Sequence, residues 1–188
     1  MDLEKGIFDL TAKTDRLIIR PLQPTDYERW LEGFHNKRPQ QHQYDDEIKN
    51  MDEWTQEKFN HMVRSHQDLA MNDRIYVFSI FTKNDHKNIG YVDISTIMRD
   101  EFQWGAIGYR LHNQFWRQGF AKEAVRAVID LALNTLEFHR IEAHINLDNT
   151  ASIHVAEGAG LTFECTREKF IFEEDEWTDN YVYALTAK

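Results

Sequence analysis

The sequence predicts one mixed α/β domain, a mostly antiparallel central sheet of about seven strands flanked by about four helices. Three observations lead there. Apolar runs of strand length recur along the chain, and two of them, 75–82 and 89–98, flank the polar turn 83–87 as a hairpin. Two strand-turn-helix units then follow, one around Gly119 and one around Asn149, about 30 residues apart, a spacing that lets them lie side by side. Finally, 188 residues with 41% hydrophobic and 13% aromatic content suffice for one core, with no repeat, low-complexity segment or interdomain linker.

In order, residues 1–14 read as an extension and 15–187 as the domain. Segment 16–22 alternates around Leu17 and Ile19, a first strand closed by Pro21. Pro24-Thr25-Asp26 opens a helix to about Phe34 that buries Trp30, Leu31 and Phe34. The polar stretch 36–50 reads as a loop. A helix over 52–69 follows, with Trp54, Phe59, Met62 and Val63 apolar. After the hairpin comes a strand over 102–111. A helix over about 119–136 carries Ala121, Ala124, Val125, Val128, Ala132 and Leu136 on one stripe. Segment 140–145 is the next strand, followed by a short helix ending near Gly158-Ala159-Gly160. Segments 162–172 and 177–186 form a last hairpin across the acidic turn 173–176.

The joint Trp116-Arg117-Gln118-Gly119-Phe120-Ala121 carries the most chemistry. Small residues opening a helix leave main-chain N–H groups unpaired and aimed at one point, with the positive end of the helix dipole behind them. That suits an anionic group such as a diphosphate, and Arg117 and Lys122 add positive charge. A plain connector has the same local pattern.

Composition narrows the classes. A net charge of −10 argues against nucleic-acid binding and is compatible with cationic acceptors such as amines. No window approaches the 18 or so apolar residues of a membrane span, and the N-terminus, acidic early, has no signal-peptide core. Cys165 is alone, so no internal disulfide forms, which fits a reducing, cytoplasmic setting; it reads as a small buried hydrophobe on a strand. His35, His42, His61 and His66 lack metal-ligand spacing, so no metal is expected.

The W-x-x-G-x-A turn, then Arg140-Ile141-Glu142-Ala143, Asp148-Asn149-x-x-Ser152 and Gly160-Leu161-Thr162-Phe163, resemble the GNAT acyltransferases in order. Thr14 to Leu22 and Trp177 to Leu185 match the RimJ/RimL-like branch, which acetylates ribosomal proteins and small amines, so the resemblance covers roughly 14–186. It departs from the general pattern at Trp116, where Gln or Arg is usual, and at Gly158, where Lys is more common.

The resemblance implies acetyl-CoA as cosubstrate and a primary amine as acceptor, either a protein N-terminus or a small amine. It implies a monomer or homodimer, and direct attack in a ternary complex without an acetylated enzyme. It also implies a splay between the strand ending at Leu111 and the strand holding Glu142 to Asn146, where main chain pairs with the pantetheine arm. Tyr109 and Leu111 line that strand; Arg117, Gln118, Gly119, Phe120, Ala121 and Lys122 meet the diphosphate. Asn149 matches a cofactor-contacting asparagine, although it equally suits a helix N-cap. Ser152 matches a serine near the cofactor sulfur, or is a plain first-turn serine. The tyrosine that many members place seven residues after that asparagine is Ala156 here, so its general acid is missing. That absence also admits a non-catalytic acetyl-CoA-binding or partner-binding module. His144, on one strand face with Glu142, is the candidate general base; Glu101 and Asp93 are alternatives.

Overall fold

The computed structural model describes residues 9–45 and 50–187. Its elements are β1 (Ala12–Lys13), β2 (Leu17–Arg20), α1 (Tyr27–His35), α2 (Gln56–Met71), β3 (Ile75–Thr82), β4 (Asn88–Met98) and β5 (Trp104–Leu111). They continue as α3 (Phe120–Asn134), β6 (Arg140–Asn146), α4 (Thr150–Ala159), β7 (Thr162–Glu173) and β8 (Glu176–Thr186). The strands form one eight-stranded sheet in the order β1-β2-β3-β4-β5-β6-β8-β7. Only β5 and β6 pair in parallel, as two neighbouring strand-turn-helix units require.

The extra strand comes from the segment expected to be an extension. Ala12 and Lys13 pair with Ile19 and Ile18, and Leu10 is buried. The N-terminal Met1 to Phe8 and Asp46 of the polar loop lie outside the described residues. The second helix starts later than expected because Thr55 caps it, accepting the Lys58 N–H at 3.2 Å.

Alternation along the strands covers both faces. Leu17 and Ile19 enter the large core with Phe78, Ile80, Val92, Ile94, Ile141, Ala143 and the buried stripe of α3. Ile18 and Phe81 point the other way, into a smaller cluster with Trp30, Met51, Phe59 and Val63 from α1, α2 and the loop between them. No described helix is long and apolar enough to cross a membrane. Cys165 is half-buried on β7 rather than buried.

His66 continues the Phe59–Val63 stripe of α2, so its ring is drawn under the helix. Its Nδ1 is buried without a hydrogen-bond partner among the described residues, and burial holds its pKa below the ordinary 6.5. The unfolded chain therefore binds a proton that the folded chain resists, and stability falls as pH drops below about 6.5. Replacing His66 with Met is expected to flatten this part of the profile. Denaturation midpoints compared at pH 7.5 and pH 5.5 check it; an unchanged slope would leave the histidine without influence.

Candidate active site

The site begins where two strands part. Trp104, Gly105 and Ala106 of β5 pair with Arg140, Ile141 and Glu142 of β6, and pairing stops there. From Ile107 to Leu111 and from Ala143 to Asn146 the facing edges make no pairs with each other, although β4 and β8 hold their outer sides throughout. A gap opening inside a sheet leaves main-chain donors and acceptors that need partners. An extended ligand can supply them as an added strand does.

At the mouth of this gap lies the joint after β5. Arg117 and Gly119 both adopt left-handed backbone, φ +61° and +79°. Such alternation curls successive N–H groups into a concave nest. Arg117, Gln118, Gly119, Phe120, Ala121 and Lys122 all have main-chain N–H groups without an acceptor among the described residues. Arg117, Gln118 and Gly119 are exposed, so the corner is not plugged by side chains. Lys122 lies differently from a free phosphate ligand: its stem crosses Gly158, where an added Cβ would come within 2.1 Å of Lys122 Cε. Gly158, without a role in the sequence, makes room for that lysine between α3 and α4.

Asn149 caps α4, its Oδ1 accepting the Ser152 N–H at 3.1 Å. The Ser152 carbonyl accepts a hydrogen bond from the Tyr109 hydroxyl at 2.8 Å, so Tyr109 struts the gap from β5 to α4. Burial pushes the Tyr109 phenol up, against a smaller opposing effect of Ser152, which makes it a poor acid. Ala156 is fully buried and faces the core.

On the opposite sheet face, beside the closed end of the gap, stands a charged cluster. Glu142 is 1% exposed. Its Oε2 lies 2.7 Å from His144 Nε2 and 3.2 Å from Arg167, while Arg140 reaches Oε1 at 2.6 Å. Burial pushes the Glu142 carboxyl up, but hydrogen bonds from His144 and Arg140 and the charges of Arg167 and Arg140 outweigh it and hold it below the usual range. An anionic Glu142 accepts an N–H from His144 Nε2, with Arg167 Nη1 3.3 Å from the same nitrogen, and in that tautomer Nδ1 is the acceptor nitrogen. Phe170 meets the His144 ring edge-on at 5.0 Å.

Arg167 and Phe170 reach this face through irregularities in β7. One extra residue between Phe163 and Cys165 and two more between Arg167 and Ile171 shift the register against β8. The first shift turns Arg167 away from the side of Phe163, which packs on Tyr181 and Tyr183. Lys169, at φ +47°, sits in the second and donates its N–H to Asp179 Oδ1 at 2.8 Å.

Asp93 is on the same face, against β5, where a Cβ on Gly108 would lie 2.7 Å from its Oδ1. Burial pushes its carboxyl up and Arg110 only partly opposes this. Glu101 sits in the exposed β4–β5 turn, beyond the closed end of the gap, and does not join the others.

The polar loop supplies a strap that the sequence did not announce. His42 stacks on Trp116 at 5.0 Å on one rim of the gap. On the other rim Gln43 donates to Asp148 at 2.8 Å, and the Tyr44 hydroxyl also bonds Asp148. Asn113, 2% exposed, anchors the strap: it accepts the Arg38 N–H at 2.7 Å and donates to the Arg38 carbonyl and to Asp45, both at 2.8 Å. Lys37 lies 3.4 Å from Asp45, with both side chains buried. Replacing Asn113 with Ala is expected to cost about 1–3 kcal/mol through these orphaned groups. It is also expected to expose residues 37–45 to proteolysis, as a denaturant titration and limited digestion would show. A protein of unchanged stability and digestion pattern would deny Asn113 this anchoring role.

A separate hollow of about 350 Å³ on α2, lined by Trp54, Lys58, His61, Met62, Ser65 and His66, offers no unpaired main-chain edge. Among the described residues no group of three or more His, Cys, Asp or Glu is placed to hold a metal.

The arrangement fits an extended, anion-tipped thioester: free strand edges for an amide-bearing arm, and free N–H groups for a diphosphate. Comparison with known proteins agrees. The family described as "Acetyltransferase (GNAT) domain" matches residues 16–162. "Probable N-acetyltransferase YjcK" of Bacillus subtilis (strain 168) is 34% identical over 176 residues, 94% of this chain and 96% of that protein. Among solved structures, the ribosomal-protein-S5-alanine acetyltransferase of Vibrio fischeri superposes with a TM-score of 0.74 at 22% identity, covering 94% of this chain and 96% of that one. RimJ of Mycobacterium smegmatis, solved in complex with CoA-disulfide, superposes with a TM-score of 0.73 at 21% identity, covering 91% and 82%. With a matched domain over most of its length and a relative this similar end to end, the chain belongs to the GNAT acetyltransferase family and is an N-acetyltransferase with RimJ/RimL-like relatives.

Proposed function

We propose that this enzyme moves the acetyl group of acetyl-CoA to a primary amine by direct attack in a ternary complex. The observation that carries the reading is the unpaired β5 and β6 edges, with the N–H nest at their mouth. Arg117, Gln118, Gly119, Phe120 and Ala121 would hold the diphosphate, and Tyr109, Leu111, Asn149 and Ser152 would line the pantetheine path. Lys122, held across Gly158, adds charge rather than direct contact. When bound, the thioester supplies an activated acetyl carbon and a thiol leaving group that needs no strong acid, since thiols ionise near 8.5. His144, held by Glu142, takes the ammonium proton directly or through water, and Ser152 or water returns one to the sulfur. Holding the two reactants together supplies up to roughly 7–11 kcal/mol of the acceleration.

The acceptor is a protein N-terminus or a small amine, and the S5-alanine specificity in the name of the Vibrio fischeri neighbour favours the first. Thiol release measured across peptides ending in alanine or serine, polyamines and simple amines tests this. Turnover of a peptide and not of the polyamines supports it. Tight CoA binding with no thiol released for any amine would sink the transferase mechanism assigned to His144 and Ser152.

A further inference from the structure

Deepening the acetyl-CoA reading, on which it rests, we infer that Arg16 is the positioning residue of the diphosphate nest, holding the Gln118–Gly119 peptide so that the Gly119 N–H faces the ligand. Arg16 comes from the segment just before β2, about a hundred positions away in sequence. Its Nη1 donates to the Gln118 carbonyl at 2.9 Å. Its Nε and Nη2 both hold Glu123 Oε2, at 2.7 and 2.5 Å, and the guanidinium lies over the Phe120 ring at 4.4 Å.

A trans peptide points its C=O and the next N–H in opposite directions. Fixing the Gln118 carbonyl on Arg16 therefore turns the Gly119 N–H outward, away from Arg16 and toward the mouth of the gap. Without that hold, this peptide, which leads into left-handed Gly119, is free to flip, which would present a carbonyl oxygen to an incoming phosphate.

Glu123 makes the clamp doubly necessary. It stands in the first turn of α3, where its negative charge repels the anion the nest would bind. Arg16 covers that carboxylate and Thr14 donates to its other oxygen at 2.5 Å. Burial pushes Glu123 up, but these hydrogen bonds and the Arg16 charge hold it down, so it stays anionic and keeps the guanidinium in place. A lysine at position 16 could not serve, because one ammonium cannot span the carbonyl and the carboxylate as the planar fork does.

The test compares two thioesters on purified full-length protein: acetyl-CoA, and acetyl-pantetheine, which lacks the diphosphate. In Arg16→Met, KM for acetyl-CoA and Kd for CoA are expected to rise about 10- to 100-fold, the range for a lost charge-assisted bond. kcat at saturation and KM for acetyl-pantetheine are expected to stay unchanged. Arg16→Lys is expected to show the same selective loss, and it serves alone if the Met variant does not fold. An equal rise for both thioesters, or none, would overturn the clamp while leaving the cofactor assignment standing. A wild-type protein that fails to bind CoA would overturn the cofactor reading and the clamp with it.

Discussion

Replacing Gly119 with valine is expected to weaken CoA binding by about 100-fold, the loss for a nest whose N–H groups no longer converge. Gly119 holds φ +79°, a conformation that strains an L-residue by roughly 1–2 kcal/mol. An added Cβ meets only Arg16 Nη2, at 3.4 Å, so no backbone clash opposes folding. The valine would relieve its strain by rotating the peptide, and its branches would stand where the phosphates approach. Isothermal titration with CoA, alongside a melting curve, separates the two effects. Unchanged affinity would show that the diphosphate lies elsewhere; a collapsed melting temperature would show that the turn is structural.

His144→Gln is expected to lower kcat about 100-fold, the low end of what a general base contributes. KM for acetyl-CoA is expected to hold. Glutamine keeps an N–H for Glu142 and so preserves the cluster, but it has no basic nitrogen at the position of Nδ1. Asp93→Asn is the matched control across the gap. Burial raises the Asp93 carboxyl, which also makes it a better base than an exposed aspartate. A large loss in the asparagine variant with little in the glutamine variant would move the proton acceptor from β6 to β4.

Local patterns made the frame legible. Glycine at a strand-to-helix joint, an apolar stripe on α3 and alternation in the β3–β4 hairpin each declare themselves within a dozen residues. The shared face of Glu142 and His144 followed from strand period alone and is met in their 2.7 Å contact. The less legible parts depend on contacts distant in sequence or on broken period. Arg16 reads as an ordinary strand-flanking cation until folding brings it to Gln118. Residues 37–45 have no periodicity, and contacts with Asn113, Trp116 and Asp148, all distant in sequence, give them shape. Ala12 and Lys13 are too short a run to announce a strand, although their pairing adds the eighth. Arg167 was invisible because counting by twos from Phe163 puts it on the wrong side of the sheet.

The register shifts of β7 give the outermost strand a kinked border. Deleting Glu164 would restore simple alternation while leaving Arg167 opposite Asn180, so Glu142 would keep that cation and Arg140 would lose only its contact with Glu164. The same deletion would iron flat a border that its kinks now keep from zipping onto a neighbouring molecule's border. A single-residue trim at this kink should therefore keep turnover and show one fault, new aggregation.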